Sequence, residues 1–204
     1  MAKQNQVTQA KGFPKKWIAL GVIVLIILIF VATIWGSYNN LVSLSQGADN
    51  AWANVETQYQ RRVDLIPNLV NVAQNYAQFE KSTLTQVTAL RTQWMSQQGN
   101  PEAQTQTANQ IEQALGKIIL TYENYPTLTA GTQFTSLMDN LAETENMVMV
   151  ARTRYNAAIQ AYNTATMVFP SNVIAGWFGF QKRTYFNETT PGAQNAPVVN
   201  ITIS

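Results

Sequence analysis

Seven charged residues are placed where they could do chemistry: Arg61, Arg62, Asp64, Glu80, Arg91, Glu145 and Arg152. Three of them interrupt apolar stripes of helical period. Glu80 falls between Ala73/Tyr76 and Leu84/Val87, and Glu145 between Leu141 and Val148. Arg152 follows Glu145 by seven residues, two turns along the same face. An unpaired charge on a buried face is strongly unfavourable, so these three are expected to pair across helices, with Arg61, Arg62, Asp64 and Arg91 as partners. Carboxylates held beside arginines can serve three ends. They can form an ion network that fixes helix register, line a polar pocket for a ligand or partner, or carry acid–base chemistry.

Composition narrows the choice. The chain has no His and no Cys, which removes Ser-His-Asp and Cys-His nucleophile systems, zinc sites of the HExxH and deaminase types, and disulfides. The Glu-x-x-His pattern of bundle-type di-iron sites is absent for the same reason. No GxGxxG or GxxxxGK[ST] loop is present for a nucleotide. We therefore expect no catalytic residue, no cofactor and no metal site. The register network is the leading reading of the seven charges, and a binding pocket near Glu145 and Arg152 is the alternative.

The elements that must position these residues read as helices. Leu41, Leu44, Ala48, Ala51, Trp52, Val55 and Tyr59 form one apolar stripe. A turn is expected near residues 61–67, with Asp64 as cap and Pro67 in the next first turn. A second helix should carry Ile66, Leu69, Val70, Ala73, Tyr76, Leu84, Val87, Leu90 and Trp94 and stop near Gly99. Asn100-Pro101-Glu102 is a compact start signal: cap, proline, acid. The third helix uses Ile111, Leu115, Ile118, Ile119 and Tyr122 and ends before Pro126. The fourth, expected to be the longest, covers 132–168, and Pro170 closes it. Trp52, Trp94, Tyr155 and Tyr162 on these stripes are expected in the core.

Ahead of the helices lies an uncharged nineteen-residue run, Trp17 to Trp35, with Phe30 inside it. As a helix it spans about 28 Å, close to the roughly 30 Å hydrocarbon thickness of a bilayer. The tryptophans at its ends suit the headgroup level. Its exit, Thr33-Ile34-Trp35-Gly36-Ser37, is a poor signal-peptidase site, so the run is expected to stay as an anchor. Gly36 and Gly47 could bend its junction with the following stripe, or the two could form one helix. Lys3, Lys11, Lys15 and Lys16 precede the run, and no Lys or Arg follows until Arg61. That asymmetry predicts a cytoplasmic N-terminus, with the remaining chain on the periplasmic or extracellular side of the inner (plasma) membrane.

Beyond the anchor, polarity comes from amides and hydroxyls. The chain has 20 Gln, 19 Asn and 22 Thr, against 13 basic and 11 acidic residues. Only nine of the basic residues follow the anchor. There is no basic field for a phosphate backbone, and nucleic acid is not an expected partner. After Pro170 the segment 172–180 is apolar. It is expected either to lid one end of the bundle or to expose Trp177, Phe178 and Phe180 for self-association or bilayer contact, with Lys182 and Arg183 suited to headgroups. Residues 187–197 read as loop and 198–204 as strand-like.

Several segments together resemble the LemA family: Tyr38-Asn39-Asn40-Leu41-Val42, Ala51-Trp52-Ala53-Asn54-Val55, and Arg61 through Val70 (RRVDLIPNLV). They continue with Tyr122-Glu123-Asn124-Tyr125-Pro126, Thr144-Glu145-Asn146, Ala151 through Asn156 (ARTRYN) and Tyr162-Asn163. Phe169-Pro170-Ser171-Asn172 and Phe178-Gly179-Phe180 complete the set. The resemblance implies a membrane-tethered bacterial helical bundle and no defined activity. Some relatives carry a Cys suited to lipid attachment shortly before the Tyr-Asn pair, where this chain has Ser37.

The expected architecture is all-α. A basic segment (1–16) and a single transmembrane helix (17–35) lead to an antiparallel four-helix bundle (38–170), then an apolar lid and short strand-like tail (171–204). The expected function is a non-enzymatic, membrane-anchored scaffold or adaptor. Its partners would be membrane lipids, further copies of the chain and an unidentified envelope protein. A monomeric envelope sensor is the alternative.

Overall fold

The computed structural model describes residues 15–125, 128 and 131–186. Its regular elements are all helices: α1 (Lys15–Asp64), α2 (Ile66–Ala73), α3 (Lys81–Ser96), α4 (Pro101–Asn124), α5 (Thr132–Met167) and α6 (Ser171–Phe178). The strand-like stretch 198–204 and the stop at Pro126 lie outside the described residues.

The apolar run and the first stripe form one helix of 50 residues, about 75 Å long. α1, and not the 132–168 helix, is therefore the longest element. Neither Gly36 nor Gly47 breaks it. An interior glycine costs only about 1 kcal/mol in a helix, and no proline interrupts the run. The two ends of α1 have opposite surroundings. The apolar window of its N-terminal part is wholly unburied. From Leu41 on, Ala48, Trp52, Val55, Tyr59 and Val63 face the protein core at helical spacing. Burial is what separates this apolar run from the core helix of a soluble protein: α1 holds a helix long and apolar enough to cross a membrane.

α1 and α5 run antiparallel. Arg62 reaches the Leu141 carbonyl at 3.1 Å, Trp52 meets Tyr155 edge-on at 5.1 Å, and Leu41 shares a cluster with Ala165. α3 packs on α4, α2 bridges α3 and α5, and α6 lies against α1 and α5. One core runs through α1 to α5, and it includes the four aromatic residues expected there except Tyr162, which is buried beside it.

Two local expectations are corrected. Asp64 does not cap α2. It is the last residue of α1, and the position before α2 is Leu65, whose side chain makes no cap. Pro67 has no N–H to give the Val63 carbonyl four residues back, and Arg91 Nε donates to that carbonyl instead, at 3.2 Å. A side chain from α3 thus fills a bond that proline removes. The helix expected over 66–94 is also two helices. Between them, turn-type bonds run from Asn75 N to Val72 O and from Tyr76 N to Ala73 O. No Gly or Pro forces this break. Tyr76 and Phe79 instead dock on Phe134 of α5, with ring centroids 6.1 and 5.4 Å away, and the chain folds back so that α3 returns along α2.

The start signal at α4 works as read: the Asn100 side chain accepts from the Ala103 N–H at 3.1 Å. α6 ends at Gly179, whose φ of +75° is open to glycine at little cost. The Phe180 N–H then bonds the Ala175 carbonyl at 2.9 Å, closing a Schellman turn. That turn sends residues 181–186 back along α5.

Candidate functional site

The buried charges converge on a residue absent from the seven. Glu112 of α4 receives Arg62 of α1 at 2.9 Å and Arg152 of α5 at 3.6 Å. Arg62 is only 1% exposed and also donates to the Leu141 carbonyl. Glu145 lies 3.8 Å from Arg62 but is more than half exposed, so solvent screens that pair. The cluster therefore balances two guanidinium groups with one inner and one outer carboxylate, and it ties three helices in register.

The other four candidates sit elsewhere. Asp64 and Arg91 form a separate surface pair at 3.9 Å, with Asp64 also accepting from Gln60 Nε2 at 2.8 Å. Arg61 is exposed, with its guanidinium 3.9 Å from Met147 Sδ. Glu80 is exposed at the position before α3 and accepts from Ser82 Oγ at 3.2 Å. It left the stripe because the helix breaks just before it. Glu112 was legible in principle: it lies four residues after Ala108 and three before Leu115, both buried, on one face of α4.

A second feature leaves no mark in apolar periodicity or charge, although its two asparagines fall in segments that carry the family resemblance. Residues 181–186 run extended and antiparallel to α5, held by two asparagine side chains. Asn163 Oδ1 accepts from the Arg183 N–H and Asn163 Nδ2 donates to the Arg183 carbonyl, both at 2.9 Å. Asn156 does the same for Phe186, at 2.8 and 3.0 Å. Seven helical residues rise about 10.5 Å, and three extended residues cover about 10 Å, so the two carboxamides match the two backbone sites in step. Between them Tyr155 Oη donates to the Thr184 carbonyl at 3.2 Å. Each carboxamide acts as a strand edge would, offering one donor and one acceptor.

This strap completes the charged cluster. Phe186, 2% exposed, stacks near Tyr59 with centroids 6.2 Å apart. The Arg152 guanidinium lies over both rings, 4.5 Å from Phe186 and 5.2 Å from Tyr59. Higher up the strap, Arg183 pairs with Asp49 and donates to Ser45 Oγ at 2.8 Å. The bond to Asp49 holds the Arg183 pKa above its usual value. Burial pushes the nearby Tyr155 phenol up; Arg183 opposes that shift and Asp49 adds to it.

A groove of about 950 Å³ opens between the strap, α1 and the N-terminal half of α4. Asp49, Trp52, Asn109, Gln113 and Arg183 are among its walls, whereas Glu145 and Arg152 are not. Arg152 is covered by Phe186 and pairs with Glu112, and Glu145 lies beside Arg62.

Of the surface residues singled out, Trp17, Phe30 and Trp35 are exposed along the apolar part of α1. Trp177 and Phe178 are exposed on α6. Phe180 is half-buried and packs on Tyr38, centroids 5.8 Å apart, as Phe178 does at 4.8 Å.

The LemA family profile matches residues 51–201. Magnetosome protein MamQ 1 and Magnetosome protein MamQ 2 of Paramagnetospirillum magneticum are each 30% identical to the chain over 201 residues, which is 86% of this chain and 73% of theirs. Protein LemA of Metamycoplasma hominis is 22% identical over 152 residues, 74% of this chain and 69% of its own length.

Proposed function

Because this chain belongs to the LemA family and carries a helix long and apolar enough to cross a bilayer, we propose that it is a non-enzymatic, single-pass membrane-anchored scaffold. Its helices beyond Trp35 form an antiparallel bundle that self-associates at the membrane surface and docks an envelope protein. The N-terminus is cytoplasmic, as Lys3, Lys11, Lys15 and Lys16 favour, and the bundle stands on the outer side of the inner membrane. The names of the relatives, magnetosome proteins among them, fit a structural role better than a metabolic one.

The observation that carries this reading is the unbroken course of α1. One helix is exposed from Trp17 to Trp35, with Ile34 partly buried, and is core-forming from Leu41 to Val63. A flexible linker would let the body tumble above the bilayer, whereas a continuous helix holds it at a set height and angle. Such an arrangement suits an assembly whose copies must meet in a common orientation. Faces rich in Gln, Asn and Thr and poor in charge allow lateral packing with little repulsion.

The experiment is extraction of the full chain in mild detergent, followed by native mass measurement and electron microscopy. Discrete multi-copy particles with the apolar helices gathered on one side support the scaffold. A strict monomer in every detergent and in lipid discs rejects it. The groove beside Asp49, Trp52 and Arg183 supports a second reading, a monomeric sensor of a polar envelope ligand. Loss of ligand binding on Asn109→Ala, with the monomer intact, would favour that sensor.

A further inference from the structure

We propose that α6 and the preceding Phe169 lie in the interfacial layer of the same bilayer that α1 crosses, as a second, non-spanning contact with lipid. The inference rests on the membrane-anchor reading of α1 and adds a partner for a surface that reading leaves uncovered.

The first observation is an unusual exposure of large apolar groups. Phe169 is 83% exposed, Trp177 64% and Phe178 56%, with Val168 and Val173 beside them. The opposite face of α6 is already used: Ile174 and Ala175 are buried with Leu41 and Ala165. α6 is thus apolar on both sides, one facing protein and the other facing out. From Tyr155 to Gln181 the chain has no charged residue at all. An uncharged, aromatic-bearing face of this kind is unfavourable in water.

The second observation is where that face sits. α6 packs on the part of α1 that leaves the apolar span. Ile34, still within the span, joins the α6 cluster, and Tyr38 meets the Phe178 ring at a tilt and the Phe180 ring edge-on. Tyr38 and Leu41 follow Trp35 by three and six residues, about 4.5 and 9 Å along the helix. Interfacial helices bury their apolar face about 5–10 Å into the boundary of headgroups and acyl chains. Any bilayer that accepts Trp17 to Trp35 therefore reaches the level of α6. A second copy covering the patch would have to displace lipid already at that height. Trp and Phe are suited to this layer, and Lys182, exposed just past the Schellman turn, is placed for lipid phosphates.

Two contacts, one spanning and one lying flat, would fix both tilt and rotation of the body relative to the membrane. A single spanning helix sets height and angle but leaves rotation about its own axis open.

The test uses the full chain in lipid discs and its cysteine-free background. Single cysteines replace Trp177, Ile26 or Val150, each carrying an environment-sensitive fluorophore, with circular dichroism to confirm unchanged helix content. Quenching is read from lipids spin-labelled near the headgroup for Trp177→Cys and Val150→Cys, and from lipids labelled near the acyl-chain end for Ile26→Cys, which lies about 14 Å from either end of the span. Val150 is exposed on α5, opposite a part of α1 far from the span, and serves as the water-level reference. Quenching at Trp177→Cys several-fold above Val150→Cys is the expected result. Quenching at Ile26→Cys without any at Trp177→Cys overturns the α6 contact and leaves the anchor standing. No quenching at either site removes the anchor reading and this inference with it. Disulfide-linked dimers of the unlabelled Trp177→Cys protein under a mild oxidant, with no quenching of the labelled protein, would assign the patch to a second copy and overturn the lipid contact.

Discussion

The Asn163 carboxamide bonds both polar groups of the Arg183 backbone, accepting from its N–H and donating to its carbonyl at 2.9 Å each. A helix side chain thereby stands in for a neighbouring strand. Repeated two turns away by Asn156 on Phe186, it turns a segment without regular structure into part of the core.

Replacing either asparagine should release the strap locally. Asn163→Ala removes two hydrogen bonds and leaves partly buried backbone groups unmet, a loss of about 1–3 kcal/mol. Asn163→Asp, with one donor missing, should fall in between wild type and the alanine variant. Hydrogen exchange should show faster labelling across 181–186 while α3 and α4 stay protected. Equal labelling in all three proteins would mean that the carboxamides do not hold the strap.

Within the charged cluster the two carboxylates are not equivalent. Glu112→Ala strands a buried Arg62 and should cost about 3–5 kcal/mol, whereas Glu145→Ala, at an exposed pair, should cost less than about 1 kcal/mol. Urea unfolding of both variants in detergent separates the cases. Equal destabilisation would make the two carboxylates equivalent and overturn the distinction.

Arg91 should matter more for the Val63 carbonyl than for Asp64. Arg91→Ala is expected to lose about 1–2 kcal/mol, because the carbonyl that Pro67 cannot serve loses its donor. Asp64→Ala should lose under about 1 kcal/mol. Adding Pro67→Ala to Arg91→Ala should recover part of the loss by returning an N–H to that position. A fully additive double variant would break the link between the two residues.

Alkaline titration should report on Tyr155. Its folded pKa lies above the ordinary 10.0 through burial, opposed by Arg183 and reinforced by Asp49. A group with a raised folded pKa contributes its stability in full below the unfolded value and loses it as pH climbs through the folded one. Stability from this site should therefore be flat below about pH 10 and fall above it. Phenolate absorbance should contain a late-ionising component from Tyr155, and Tyr155→Phe should diminish it.

Much of the fold was legible because its determinants are local. A helical stripe, the Asn100-Pro101 start and the stop near Gly99 each depend on residues within a turn or two of one another. The break between α2 and α3 was not, because nothing in residues 74–80 forbids a helix. Phe134, some sixty residues away, draws Tyr76 and Phe79 out of line. Glu80 was misplaced as a consequence.

The candidate site shows the same division. Arg62, Glu145 and Arg152 could be found as charges beside apolar stripes, yet the carboxylate that joins them, Glu112, was passed over. Its neighbours on α4 did mark it as core-facing. No comparable mark existed for Asn156, Asn163 and Phe186, since asparagines two turns apart are common and Phe186 stands in a polar stretch.

By itself the amino-acid order determined the apolar span, the helical class, the absence of histidine and cysteine chemistry, and the fact that some charges would have to pair. These follow from local periodicity and from composition, which any chain of this order carries before it folds. Tertiary structure alone decided which carboxylate the arginines share, where the second helix bends, and that two carboxamides bind a distant backbone. Those outcomes depend on the rise of α5 matching the rise of an extended strap, and on which helices lie within a few ångströms of each other once the core has closed.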